Sequence, residues 1–290
     1  MALVSNVVLI TGCSTGIGRA TAERLTRAGF DVFATARRPE TLEELEGLGC
    51  RTLGLDVTDE QSMVRAVRSV VDTKGAVGVL VNNAGYGEYG PVEESSADAL
   101  RQQLETNVVG MTRLTQLVLP QMRAQRWGRI INLGSISGKI SLPGCAYYSA
   151  SKYAVEAISD ALRFEVRPFG VAVSLIEPGA IKTAFDEAGL ARLRASTREG
   201  SPYKRYNDGV AKAISAAYEG AMGKMAGSPD DVARVIERAI RARRPRSRYR
   251  VGGGASLMLA TRKLLPDRAM DLLLRSQFPS PARVSDERTD

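Results

Sequence analysis

A doubly wound α/β domain on a parallel sheet is the fold class this sequence predicts, and three observations predict it. Short apolar runs rich in β-branched residues alternate with helical patterns through most of the chain. The runs are apolar on both faces instead of alternating, as strands covered by helices on each side are. The segments between them carry apolar residues at the 3.6-residue period of a helix lying on a core.

The runs place strands at Val7 to Thr11, Val32 to Ala36, Thr52 to Leu55, Val77 to Val81, Arg129 to Leu133 and Val171 to Ile176. Helices follow from Ile17, Ala20, Thr21, Leu25 and Ala28, and later from Ala154, Val155, Ile158, Ala161 and Leu162. After Pro178-Gly179 the pattern loosens from Thr183 to Gly227, a stretch of roughly forty residues that reads as a loop region serving as a substrate lid. Order returns at Ser228-Pro229-Asp230-Asp231, an N-cap followed by proline and acids that opens a helix from Val232 to Ala242. A last strand is expected near Tyr249 to Val251. Residues 253–290 then form a C-terminal helical extension, with Leu257, Met258, Leu259, Leu264, Leu265, Leu272, Leu273, Leu274 and Phe278 ahead of a polar end expected to be disordered. The expected unit is one domain over 1–252, with the lid at 183–227.

Composition narrows the function. The 290 residues are 44% hydrophobic and 25% charged, ordinary for a chain with one large core. The chain has no histidine, which removes Ser-His-Asp and papain-like catalysis and the commonest metal ligand together. Cys13, Cys50 and Cys145 are odd in number and far apart, so neither a disulfide framework nor a thiolate metal cluster is expected, and no metal site is assigned. Met1 to Asn6 show no secretory pattern, and every apolar run is soon broken, so a cytoplasmic location is the expectation. The formal charge of +8 suits nucleic acid, anionic lipid or a phosphate-rich cofactor equally well. Its densest cluster, Arg241, Arg243, Arg244, Arg246, Arg248 and Arg250, reads as a solvated loop and edge strand, with weak contact to an anionic membrane surface as the other reading. It lacks interleaved aromatic residues, so nucleic acid is not an expected partner.

The first strand runs directly into Thr11-Gly12-Cys13-Ser14-Thr15-Gly16-Ile17-Gly18, after which a helix begins. Backbone amides and a helix N-terminus therefore face whatever occupies the turn, which is the chemistry of a pyrophosphate site. Glycine permits the tight turn and the close approach of backbone to phosphate. With this turn the doubly wound sheet becomes a Rossmann-type fold.

The spacing of that turn resembles the short-chain dehydrogenase/reductase family, and the resemblance accumulates along the chain. Asp56-Val57 resembles the family's adenine contact, and Asn82-Asn83-Ala84-Gly85 its segment lining the cofactor groove. Asn107 matches the family's helix asparagine, Ser135 follows the fifth strand, and Tyr148-Ser149-Ala150-Ser151-Lys152 is its Tyr-X-X-X-Lys signature. Pro178 and Gly179 end the sixth strand, with Ile181 and Thr183 at the positions that would hold the nicotinamide carboxamide. The Gly12-Cys13-Ser14 variant, the lid and the tail are most similar to the branch containing 17β-hydroxysteroid and retinol dehydrogenases. That likeness implies a small lipophilic ketone or alcohol substrate. It also implies a homodimer, paired through helices around Ala99 to Met122 and Ser149 to Arg167.

Tyr148 and Lys152 stand four apart on one helix face, so the ammonium can approach the phenol ring from the next turn. A cation held there favours the phenolate, and Tyr148 could then give a proton to a ketone or take one from an alcohol. Ser135 would hold the same substrate oxygen. The resemblance implies that Lys152 also binds the nicotinamide ribose and that Asn107 holds a water that relays protons. Tyr147 has Ser151 where a lysine would be needed.

Cofactor choice is legible about 20 residues past the glycines, where an acid would bind a ribose 2′-hydroxyl. The position is Ala36, followed by Arg37 and Arg38, and a guanidinium suits a 2′-phosphate, so NADP(H) is favoured over NAD(H). The expected function is thus NADP(H)-dependent interconversion of a secondary alcohol and a ketone, or of a retinoid-like alcohol and aldehyde. The alternatives are a non-catalytic NADP(H)-sensing protein on the same fold and a membrane- or acyl-carrier-associated reductase.

Overall fold

A computed structural model describes residues 5–219, 223, 225–281 of the chain. Its centre is a seven-stranded, wholly parallel sheet in the order β3-β2-β1-β4-β5-β6-β7. The strands are β1 (Val7–Ile10), β2 (Asp31–Ala36), β3 (Arg51–Gly54), β4 (Val79–Asn82), β5 (Gly128–Leu133), β6 (Val171–Pro178) and β7 (Arg248–Val251). The order reverses between β1 and β4, so their carboxyl ends open the crevice where such sheets bind ligands. Strand ends shift by a residue or two from expectation: β1 stops before Thr11, β4 starts after Val77, and β6 continues through Pro178.

Each strand feeds both layers because its side chains alternate. Val8 and Ile10 pack with Val32, Ala34 and Ile131 beneath α1 (Gly16–Arg27) and α9 (Pro229–Arg241). Val7 and Leu9 pack with Phe33, Leu80 and Ile130 against α3 (Glu60–Lys74) and α5 (Met111–Ala124). The expected N-cap of α9 is present as a capping box between Ser228 and Asp231. The remaining helices of the sheet domain are α2 (Glu43–Gly47), α4 (Ala97–Leu104) and α6 (Ala146–Val166), the last carrying the Tyr-X-X-X-Lys segment. Among the described residues no helix is long and apolar enough to cross a membrane.

Two expectations are corrected. The stretch from Thr183 is not a loop: it holds α7 (Ala184–Ser196) and α8 (Lys204–Ala216). On α8, Tyr206, Val210 and Ile214 recur every fourth residue, a stripe masked in the sequence by the charges of Lys204, Arg205, Asp208 and Lys212 between them. The arginine cluster is not simply solvated either. Arg248 and Arg250 reach from the edge strand to the buried Glu177 of β6, and Arg248 also pairs with Glu156 and Asp160 of α6. Lys139, just past Ser135, joins the same two glutamates, so ion pairs tie β6, β7, α6 and the segment after β5 together. Burial and the facing Glu156 carboxylate push the Glu177 carboxyl up.

The tail beyond β7 folds as α10 (Gly253–Leu264) and α11 (Asp267–Gln277). Leu259 and Met270 are buried against Ile140, with Ile136 and Leu142 beside them. The polar end, residues 282–290, lies outside the described residues, as do 1–4, 220–222 and 224.

Candidate active site

The phosphate turn is shaped by two glycines in the left-handed region, Gly12 at φ 72° and Gly16 at φ 60°. A Cβ on Gly12 would lie 3.0 Å from the Ala84 Cα, and one on Gly18 would strike the Gly12 carbonyl oxygen. The turn is thus pressed against the chain leaving β4. Asn83 fixes it there, donating from Nδ2 to the carbonyls of Thr11 (2.8 Å) and Gly12 (3.0 Å). The Thr11 hydroxyl accepts in return from the amides of Asn83 and Ala84. α1 starts at Gly16 with the half-buried Ser14 and the exposed Thr15 before it. The Thr15 side chain caps no amide and the first turn holds no acid, so the positive end of α1 is not neutralised. Ile17 packs into the core below.

Four further residues meet at the carboxyl ends of β4 and β5. Ser135 is buried and caps the short turn Ile136–Gly138. Its hydroxyl draws the Tyr148 phenol down in pKa while burial pushes it up, and burial is the larger effect. Lys152 is buried, its Nζ 2.7 Å from the Leu133 carbonyl and 5.8 Å from the centre of the Tyr148 ring. No carboxylate among the described residues meets it, and desolvation lowers its pKa to about 8. Asn107 lies in a π-helical turn, Glu105–Gly110, between α4 and α5. Its Nδ2 donates to Ser151 Oγ and the Tyr86 carbonyl, and its Oδ1 accepts from the Tyr86 amide, with Gly85 close against it.

At the other end of the crevice Ala36 closes β2, and Arg37 follows it, exposed and without an acidic partner among the described residues. Asp56 turns its Oδ1 onto the amide and hydroxyl of Thr58, and Val57 is buried beneath Gly110. Beyond Pro178, the Gly179 amide donates to the Val251 carbonyl and the buried Ile181 bridges to Gly227. Thr183 caps α7, and its methyl sits 3.4 Å from where a Gly16 Cβ would be, so it reaches over the phosphate turn.

The substrate side is closed by helices. Tyr148 packs against a cluster of Tyr89, Cys145, Leu190, Leu193, Val210 and Phe278, which Leu142, Tyr206 and, from the tail, Leu274 also border. Tyr89 and Phe185 stand around its ring at 6.4 and 5.6 Å between centroids. Tyr89 and Tyr218 both donate to the carboxylate of Asp186. Beside it, between α7 and α8, is a recess of about 480 Å³ lined by Thr183, Asp186, Leu190, Ile214 and Tyr218 among others. A second cleft, of about 440 Å³, lies among Leu193, Arg194, Lys204 and Asp208, with no part of the Ser135–Tyr148–Lys152 group in its wall.

The family model for short chain dehydrogenase matches residues 6–192. The chain belongs to the short-chain dehydrogenase family. The Escherichia coli (strain K12) "uncharacterized oxidoreductase YbbO" is 37% identical over 92% of this chain and 93% of its own length. The 3-ketodihydrosphingosine reductase of Bacteroides thetaiotaomicron is 34% identical over 93% of this chain and 96% of its own. Human 17-beta-hydroxysteroid dehydrogenase type 1 is 36% identical over 97% and 83%. Among solved structures, a short-chain dehydrogenase/reductase of Burkholderia phymatum in complex with NAD superposes at TM-score 0.76, with 27% identity over 98% of this chain and all of that one. A serine dehydrogenase complexed with NADP+ superposes at 0.74, also with 27% identity, over 86% and 95%. This short-chain dehydrogenase is accordingly an oxidoreductase acting on CH–OH groups.

Its fold brings Ser135, Tyr148, Lys152 and Asn107 to one place. The Lys152 ammonium lies over the Tyr148 ring, as a spacing of one helical turn allows, and also meets the Leu133 carbonyl, while burial is the largest effect on the phenol. The Asn107 side chain binds Tyr86 and Ser151. Thr11, Tyr89, Asp186 and Tyr218 were not singled out in the sequence. Thr11 opens the glycine motif and could have been; the other three belong to segments with no pattern that joins them.

Proposed function

We propose that this short-chain dehydrogenase interconverts a secondary alcohol and a ketone, using NADP(H) in preference to NAD(H), on a small lipophilic substrate. The observation that carries the reading is the buried group at the end of β5. Ser135 faces the Tyr148 phenol, and Lys152 stands behind it with two of its three N–H donors unused by the described residues.

The residues fit a nicotinamide dinucleotide. Gly12, Ser14, Thr15, Gly16, Ile17 and Gly18 make a turn that a side chain would fill, with the uncapped amides of α1 opposite a pyrophosphate. Asn83, Ala84 and Gly85 wall the groove, Asp56 and Val57 lie at its adenine end, and Pro178, Gly179, Ile181 and Thr183 form the opposite lip. The spare donors of Lys152 suit ribose hydroxyls. Arg37, beside Ala36 and without an acidic partner among the described residues, suits a 2′-phosphate and offers a free ribose hydroxyl no acceptor.

A bound nicotinamide supplies or takes up the hydride. Tyr148 gives its proton to the carbonyl oxygen in reduction and takes it back from the hydroxyl in oxidation, while Ser135 orients that oxygen. Lys152, cationic below its pKa of about 8, lowers the cost of the phenolate when the proton leaves. Asn107 acts by holding Ser151, one residue before Lys152, against the loop after β4.

The apolar cluster against which Tyr148 packs, to which the tail contributes Phe278, supports a lipophilic substrate. In this reading the helices α7 and α8 flank the substrate and the tail, as far as residue 281, covers it. Exposed Val109, Tyr153 and Phe164 on the π-helical turn and α6 support a homodimer through those helices. Reduction of a graded series of ketones, followed by cofactor absorbance with NADPH and with NADH, tests the proposal. Bulky apolar ketones should be reduced with at least about tenfold higher kcat/KM from NADPH, the worth of one charge-assisted contact. Equal rates from NADH would overturn the cofactor assignment.

A further inference from the structure

Ser135 has to present its hydroxyl at the Tyr148 phenol, yet little of its own turn is bound to the helix that carries Tyr148. The turn Ile136–Gly138 lies against α6, where a Cβ on Gly138 would be 2.8 Å from the Lys152 carbonyl oxygen and 2.9 Å from Glu156 Cγ. Glycine permits that approach but offers no side chain to hold it. The apolar side chains of the turn go elsewhere: Ile140 is buried in a cluster with Leu259 and Met270 of the tail, Ile136 packs against that cluster, and no α6 residue belongs to it. Asn132 donates to Ser159 and Lys152 to the Leu133 carbonyl, but both bonds join α6 to β5, ahead of Ser135. Beyond Ser135 the side-chain bond from the turn to α6 is that of Lys139 Nζ to Glu156 Oε2, at 2.7 Å.

Glu156 is placed to hold. It is buried, one helical turn beyond Lys152 and two beyond Tyr148, so it shares a helix stripe with both. The same Oε2 accepts from Arg248 Nε (3.0 Å) and Nη2 (2.8 Å), and Arg248 is itself held by Glu177 and Asp160. The carboxylate is thus anchored from the edge strand β7 on one side while it grips Lys139 on the other. Its Oε1 is buried without a hydrogen-bond partner among the described residues, so Oε2 carries the contact. Glu177, 3.6 Å from the Lys139 ammonium, is a more distant second partner.

We propose that Lys139 and Glu156 are positioning residues: their ion pair fastens the turn that begins at Ser135 to α6, and so sets where Ser135 holds the substrate oxygen against the Tyr148 hydroxyl. This role rests on the assignment of Ser135 and Tyr148 to that oxygen. The pair itself transfers no proton and acts through geometry, where a displacement of about 1 Å is enough to cost about 100-fold in rate.

A double-mutant cycle tests this, read as NADPH-dependent reduction of a straight-chain methyl ketone, with cofactor Kd from calorimetry. In Lys139→Met, kcat should fall by about 10- to 100-fold while KM and cofactor Kd stay within about threefold, and Lys139→Arg should recover most of the loss. In a Ser135→Ala background, where no hydroxyl is left to position, the same Lys139→Met change should cost less than about threefold. Glu156→Gln, which keeps the shape and weakens the pair, should repeat this pattern with a smaller loss. Unchanged kcat in Lys139→Met, or an equal fold-loss with and without the Ser135 hydroxyl, would overturn the proposal while leaving the alcohol dehydrogenase reading in place. Full turnover by Ser135→Ala, or none by the unaltered protein with any ketone or alcohol, would overturn both.

Discussion

The sheet side and the helix side of the crevice are held by different means. On the sheet side, the turn after β1 is fixed by backbone: two glycines at positive φ, amides bound to the Thr11 hydroxyl, and carbonyls bound to Asn83. On the helix side, α7, α8 and the tail meet through side chains, with Phe278, Leu274, Tyr206 and Val210 in one cluster and Asp186 joining two tyrosines. A site made by backbone leaves little room for variation, because Gly12 and Gly16 hold a positive φ and a Cβ on Gly18 would strike the Gly12 carbonyl oxygen. A site made by side chains can be refitted to another substrate without touching the fold, which is how one scaffold serves many reactions.

Changing the reacting group where the two sides meet should cost most. Tyr148→Phe removes the transferable proton and should lower kcat by about 100- to 10,000-fold while cofactor Kd stays within about twofold. Near-normal turnover would show that the proton comes from elsewhere and would erase the contrast.

Lys152 sharpens the same point through stability. The unfolded lysine keeps its proton to about 10.5, whereas the buried one releases it near 8, so between those values the unfolded chain binds more protons. This group by itself should add on the order of 2–4 kcal/mol of stability to the cofactor-free protein as pH goes from about 8 toward 10. The buried Cys13 and Cys145 thiols, pushed up to about 12, and the tyrosines whose folded pKa values are raised act in the opposite sense, because the unfolded chain gives up those protons first. Urea unfolding across this range should therefore show a more favourable change with pH in the unaltered protein than in Lys152→Met; the same pH dependence in both would show that Lys152 does not release its proton there.

Ala36→Asp with Arg37→Ala exchanges a phosphate-binding cation for a ribose-binding acid at the end of β2. The NADPH-to-NADH ratio of kcat/KM should fall by about 10- to 100-fold. An unchanged ratio would place the reading of the 2′ position elsewhere.

The smallest effect is expected on the helix side. Phe278→Ala opens the cluster around Tyr148, and KM for bulky apolar ketones should rise by roughly three- to tenfold, with small ketones much less affected. Equal changes for both sizes would mean that the tail serves stability alone.

Sequence by itself determined the strands of a parallel sheet, the phosphate turn and the order Asn107, Ser135, Tyr148, Lys152. Each of these depends on local rules: apolar runs, glycine where φ is positive, and two residues one helical turn apart. The helices of 184–216 were missed because their apolar stripe is interrupted by charge and becomes plain only when α8 lies against the tail. The arginines near the edge strand were read as solvated because their partners, Glu156 and Glu177, are more than 70 residues away in the chain. Asp186 beside Tyr89, Tyr218 and Tyr148 was equally invisible. Tertiary structure alone decided these contacts, because a side chain finds a distant partner only after the backbone between them has packed.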